Sequence, residues 1–245
     1  MKQFGLIGLP LTHSFSKKFF TEKFSNENID AQYDLYEIPC IDTFPKILKN
    51  ASLCGINVTI PYKEQVIKYM NELDETAAQI GAVNVIKFIR SMDKLILKGY
   101  NSDAIGFENS IKPFLQPFHQ KALILGTGGA SKAIQYTLNK LGISTTFVTR
   151  SSKPGMLTYK QLNEEVLSDN LLIVNASPVG TFPHAEECPD IPYQFLTNRH
   201  FLYDLVYNPA ETLFMKKGKE YGAQILNGES MLIGQAEAAW KIWNE

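Results

Sequence analysis

Residues 121–142, KALILGTGGASKAIQYTLNKLG, limit the possible folds more than any other stretch. An apolar run, a glycine cluster and an amphipathic run read as a strand (122–126), a tight turn and a helix, with Gly142 at its C-terminal cap. Gly126, Gly128 and Gly129 let the backbone turn sharply and lie close to a pyrophosphate. The helix that follows offers unpaired N–H groups and the positive end of its dipole. GTGGAS is shorter than the full GxGxxG pattern. Its place between a strand and a helix, with a second strand beyond, favours a dinucleotide turn over a purely structural one.

The end of that second strand selects the cofactor. An NAD enzyme places a carboxylate there for the ribose 2′-hydroxyl. This chain has Thr149, Arg150, Ser151 and Ser152 instead. The planar fork of Arg150 matches a 2′-phosphate, and Thr149 and Ser151 add hydroxyl donors, so the expected cofactor is NADP.

Short apolar runs alternate with longer amphipathic ones throughout, which predicts an α/β fold with largely parallel sheets. Expected strands lie at 3–9, 32–38, 54–58, 82–88, 94–98, 122–126, 145–149, 171–175, 201–206 and 223–226. Expected helices lie at 15–28, 42–50, 62–71 and 73–80. Another, from just after Asn101 to about 115, connects two halves, and Pro113 and Pro117 oppose its continuation. The final segment, GESMLIGQAEAAWKIWNE, reads as an amphipathic helix with Met231, Ala238 and Ile242 on one side.

Composition narrows the partners. With 24 basic and 25 acidic residues, nucleic acid is not expected as the main ligand. No run approaches the roughly 20 apolar residues of a membrane span. Cys40, Cys54 and Cys188 are few, odd in number and unaccompanied by a signal peptide, which points to the cytoplasm. His13, His119, His184 and His200 are scattered, so no metal site is expected. A monomer or a homodimer is equally compatible with the sequence.

Three polar segments stand out. In NVTIPYK, Pro61 suits a helix start and puts Lys63 at the positive end, where a cation is disfavoured. A local rule broken this way marks candidate functional sites. In KGYNSDAIG, Asn101, Ser102 and Asp103 are either N-caps or, for Asp103, a partner for Lys63. Ser14 and Ser16 are either caps or a clamp for a carboxylate at a helix start. Asn84 interrupts the apolar run AVNVI and needs a partner, either protein or ligand.

HSFS, NVTIPYK, GAVNV, NSDAIG, GTGGAS, VTRS, NASPVG, DLVYNP and GESMLIGQA occur in one order, and the series resembles the shikimate dehydrogenase family from end to end. The resemblance implies an N-terminal substrate domain (1–101 plus 228–245) and a C-terminal Rossmann-like NADP-binding domain (102–227), with the last helix packing back on the first. It implies NADPH-dependent reduction of 3-dehydroshikimate to shikimate. Lys63 and Asp103 would be the catalytic pair. Ser14, Ser16, Thr59, Asn84, Tyr207 and Gln235 would contact substrate. Gly126, Gly128, Gly129, Ala130, Thr149, Arg150, Ser151, Val206 and Gly228 would hold the cofactor.

The chain departs from the family pattern at Lys17 (usually Pro), Val85 (usually Thr), and Ser102 and Ala104 in a motif usually read NTDG. These changes spare the residues assigned to proton transfer. A quinate/shikimate dehydrogenase with relaxed cofactor use shares most of the motifs. A non-enzymatic nucleotide-binding sensor would need neither Lys63 nor Asp103.

Overall fold

The computed structural model describes residues 1–11, 14–91 and 94–245; His13 lies outside them. The chain divides into two compact units, Met1–Ile105 with Gln235–Glu245, and Gly106–Gly234.

The first unit carries β1 (Lys2–Gly8), β2 (Ala31–Glu37), β3 (Leu53–Val58), β4 (Glu72–Leu73), β5 (Val85–Ser91) and β6 (Lys94–Tyr100) in the order β2-β1-β3-β5-β6-β4. The β1 strand is parallel to both β2 and β3, whereas β5 runs antiparallel to β3 and β6. Alternation along the strands feeds two cores. Ile7, Phe44, Ile56, Val66 and Ile86 share one. Phe4, Leu6, Phe20 and Tyr33 share the other with Ala236, Ala239, Ile242 and Trp243 of the last helix, Glu229–Asn244. The Trp243 ring occupies the space a Gly55 side chain would need, and its Nε1 donates to the Ile86 carbonyl at 3.1 Å.

The second unit carries β7 (Lys121–Leu125), β8 (Ser144–Thr149), β9 (Leu157–Thr158), β10 (Leu172–Asn175), β11 (Phe201–Asp204) and β12 (Gln224–Leu226). All pairs are parallel, in the order β12-β11-β10-β7-β8-β9. Counted from β7, this is the doubly wound 3-2-1-4-5-6 order of a dinucleotide-binding sheet. Such sheets bind ligands beyond the carboxyl ends of their strands, where the order reverses. Here that edge is the turn after β7 and the loops after β8, β10 and β11.

Two local expectations need correction. Residues 62–71 form turns and a short 3-10 helix, Gln65–Tyr69, not an α-helix. The Lys63 carbonyl accepts the Val83 N–H at 2.8 Å, and the Ile67 N–H goes to Glu64 instead, which prevents the α-helical bond between them. Second, Asn84 precedes its strand, which begins at Val85. Met231, Ala238 and Ile242 of the last helix are all buried, as their shared face requires, and that face meets a different core at each end. Met231 packs with Phe107 and Tyr203, and Ile242 packs with Phe4 and Phe20.

Among the described residues, no helix is long and apolar enough to cross a membrane. None of them form a group of three or more His, Cys, Asp or Glu able to hold a metal ion.

Candidate functional site

Lys63 owes its place to backbone pairing. The bond from Val83 draws it beside the segment that carries Asn84. Its Nζ then lies 2.6 Å from Asp103 Oδ2, with Asp103 buried and Lys63 partly so. Asp103 sits in the first turn of the helix Ser102–Ile111, where a negative charge is favoured. Asn101 does the capping there. Its Oδ1 accepts the Ala104 N–H at 3.3 Å, and its Nδ2 donates to the Ala82 carbonyl at 2.9 Å. With the cap supplied by Asn101, Asp103 is available for Lys63.

Asn84 uses both ends of its amide. Its Nδ2 donates to Asp103 Oδ1 at 2.8 Å and to Ser102 Oγ at 3.0 Å, and its Oδ1 accepts the Ser102 N–H at 2.7 Å. Both Asp103 oxygens are therefore acceptors, one from a cation and one from an amide. A further chain runs behind this group. Ser16 hydrogen-bonds the Tyr33 hydroxyl, which donates to Asn57 Oδ1 at 2.8 Å. Asn57 Nδ2 in turn donates to the Asn84 carbonyl at 3.3 Å. Burial holds the Tyr33 phenol far above its ordinary range, so it acts as a neutral donor.

Ser14 caps the helix Phe15–Asn26, its Oγ accepting the Lys17 N–H at 3.2 Å. Lys17 itself reaches Asp34 Oδ1 at 3.5 Å. Thr59 follows β3 and donates its N–H to the Ile7 carbonyl at 2.9 Å. Gln235 is a buried residue of the last helix, within the first unit. Tyr207 belongs to the second unit and is partly exposed.

In the second unit, Gly126 has φ 109°, and an added Cβ would lie 3.2 Å from the Ala176 carbonyl oxygen. Conformation and space both require glycine there. Gly128 precedes the helix Gly129–Lys140 and has open space where a side chain would stand. Ala130 follows in the first turn. Thr149 ends β8, next to the glycine turn through the bond from Gly126 N–H to the Val148 carbonyl at 3.0 Å. The Thr149 hydroxyl donates to the Ser151 carbonyl and accepts the Ser151 N–H. Arg150 and the Ser151 hydroxyl are thus the groups suited to a phosphate, and Arg150 is exposed. Val206 donates its N–H to Asp204 Oδ1 at 3.0 Å, and its carbonyl accepts the Gly228 N–H at 3.4 Å.

The family model described as the shikimate dehydrogenase substrate binding domain matches residues 6–86, which include Ser14, Ser16, Thr59, Lys63 and Asn84. The shikimate dehydrogenase (NADP(+)) of Methanosphaera stadtmanae is 35% identical, over 98% of this chain and 90% of its own. The chain belongs to the shikimate dehydrogenase family.

Solved structures of the shikimate dehydrogenase family resemble the whole chain. That of Aquifex aeolicus superposes with a TM-score of 0.87 at 33% identity, covering 100% of this chain and 92% of its own. The Thermus thermophilus shikimate 5-dehydrogenase, solved with NADP(H) and shikimate, gives 0.86 at 27% identity, covering 99% and 93%.

Three residues escape a reading of the sequence alone: Asn57, Tyr33 and the buried Asp204. Asn57 and Asp204 are polar groups in apolar strands, the kind of position that demands a partner, whereas Tyr33 lies in the mixed strand AQYDLYE and carries no such signal. The same signal singled out Asn84 and could have found Asn57 and Asp204.

Proposed function

We propose that this protein is an NADPH-dependent shikimate dehydrogenase, reversibly reducing 3-dehydroshikimate to shikimate on the route to chorismate and the aromatic amino acids. The observation that carries the reading is the ion pair between partly buried Lys63 and buried Asp103 at 2.6 Å, with Asn84 on the second carboxylate oxygen. A nucleotide sensor has no need of such a proton-transfer pair.

The first unit would bind the ring acid. Ser14 and Ser16 place hydroxyls at a helix start, where a carboxylate is favoured. Thr59, Asn84, Gln235 and Tyr207 would contact the ring and its hydroxyls. The second unit suits the dinucleotide because Gly126 lies where a Cβ would press on Ala176, and the helix after Gly128 opens with its N–H groups forward. Gly126, Gly128, Gly129 and Ala130 would hold the pyrophosphate. Arg150 and the Ser151 hydroxyl would hold the adenosine phosphate, with Thr149 shaping their turn, and Val206 and Gly228 would hold the nicotinamide. NADPH, when bound, supplies hydride to the carbonyl carbon.

Lys63, as ammonium, donates a hydrogen bond to the carbonyl oxygen and passes its proton as negative charge develops there. Asp103 orients the ammonium and offsets the cost of burying it. Asn84 keeps Asp103 turned toward Lys63. In the oxidative direction the neutral amine receives the hydroxyl proton.

The test is a matrix of shikimate and quinate against NADP and NAD, read as reduced-nicotinamide absorbance. Turnover highest with shikimate and NADP is expected. Equal use of quinate or NAD would make the protein a relaxed quinate/shikimate dehydrogenase. No turnover with any pair would remove the enzymatic reading.

A further inference from the structure

Asp204 is buried at the carboxyl end of β11, and its hydrogen-bonding partners are all neutral. Its Oδ2 accepts the Thr212 hydroxyl at 2.6 Å, and its Oδ1 accepts Asn175 Nδ2 at 2.9 Å and the Val206 N–H at 3.0 Å. Burial, the largest influence on its proton, pushes the carboxyl up to about 6 against those three bonds. A carboxylate desolvated this far costs stability, and a simple apolar packing residue would avoid that cost.

The three bonds act on the ligand edge of the sheet. Asn175 ends β10, and its Oδ1 accepts the Ser177 N–H at 3.1 Å and the Ser177 hydroxyl at 2.6 Å. This fixes the loop whose Ala176 carbonyl faces Gly126. Val206 is held on both sides, its N–H by Asp204 and its carbonyl by Gly228. Gly228 lies so close to Leu205 that an added Cβ would be 2.2 Å from the Leu205 carbonyl oxygen. One carboxylate therefore ties together the loops after β10 and β11, on which the glycine turn and Gly228 bear.

We propose that Asp204 is a positioning residue for the nicotinamide end of the cofactor, acting through the Val206 backbone and the Asn175–Ser177 loop. The inference rests on the NADP reading above. Asp204 need not touch the ligand. It holds the wall that the nicotinamide meets, and the adenosine end, at Arg150, lies beyond its reach.

The experiment compares dissociation constants for NADPH and for adenosine 2′,5′-bisphosphate, which lacks the nicotinamide, in the wild type and in Asp204→Ala. NADPH affinity is expected to fall at least about ten-fold, with the bisphosphate within about two-fold. Asp204→Asn should recover NADPH affinity to within about three-fold. Its amide oxygen can still accept from Val206 and Asn175 while its NH₂ donates to Thr212. Equal weakening of both ligands, no weakening of either, or an Asn variant as poor as Ala would overturn the proposal. If Asp204→Ala does not fold, Asn175→Ala and Thr212→Val each remove one bond to the carboxylate. In either, selective loss of NADPH affinity supports the proposal, and equal or absent weakening of the two ligands overturns it. A wild type that binds no NADPH would instead overturn the cofactor reading itself. One that binds NADPH without oxidising shikimate would overturn the activity and leave the Asp204 comparison intact.

Discussion

Asn84 donates to Asp103 Oδ1 at 2.8 Å while its own oxygen accepts the Ser102 N–H at 2.7 Å. One amide thus fixes both the direction of the carboxylate and the start of the helix that bears it. Lys63 completes the arrangement on the opposite oxygen.

Lys63→Ala should lower kcat by about 10²–10⁴-fold, with KM for shikimate changed only a few-fold. Asp103→Asn should fall in the same direction, since it keeps the shape but leaves the ammonium without its counter-charge. Steady-state kinetics in both directions checks this. A loss confined to KM would take Lys63 out of the chemical step.

Arg150→Ala should raise KM for NADP by about ten- to a hundred-fold, the loss of a charge-assisted pair with the 2′-phosphate, and leave KM for NAD within about two-fold. Parallel titrations with the two cofactors decide the matter, and equal effects on both would place Arg150 outside phosphate recognition.

Tyr33→Phe should destabilise the protein by about 1–3 kcal/mol, because Asn57 Oδ1 loses its hydroxyl donor in a buried site. Urea unfolding would register the change as a lower midpoint at unchanged slope.

His119 and His200 predict an acid-sensitive second unit. Each buried ring accepts a backbone N–H at Nδ1, from Gln116 and Thr197 respectively, at 3.0 Å. Each Nε2 then donates to a carbonyl, of Arg199 or Leu167. A second proton on either ring would set a donor against a donor. Burial lowers both from the ordinary 6.5. The unfolded chain therefore binds protons first, so stability is full above 6.5 and is lost as pH falls through the lowered values. Asp204, raised to about 6, has the opposite sign and gains stability as pH falls from there toward its ordinary 3.8. Denaturation midpoints measured from about pH 7.5 to about pH 5 should fall, and should fall more steeply in Asp204→Asn.

Much of this is legible in the sequence. The parallel sheet of the second unit follows from its apolar runs, and the glycine turn needs the residues it has because Gly126 adopts φ 109°. Other features depend on contacts that no local pattern announces. The helix expected at 62–71 fails because Val83, distant in sequence, takes the Lys63 carbonyl. The helix Leu213–Glu220 is hidden because Gly218 breaks its propensity, yet glycine is needed where a Cβ would lie 2.4 Å from Leu202. The caps at Asn101–Asp103 are ambiguous in sequence, since all three residue types cap well, and only geometry assigns the role to Asn101.

The Trp243 ring seated against Gly55 has a consequence for synthesis. Phe4 and Phe20 are made early, but Trp240 and Trp243, which cover them, are translated only after the whole of Gly106–Gly234. On the ribosome the first unit must wait with an uncovered aromatic face while the second is completed. Chaperone demand during translation should accordingly concentrate on the amino-terminal half.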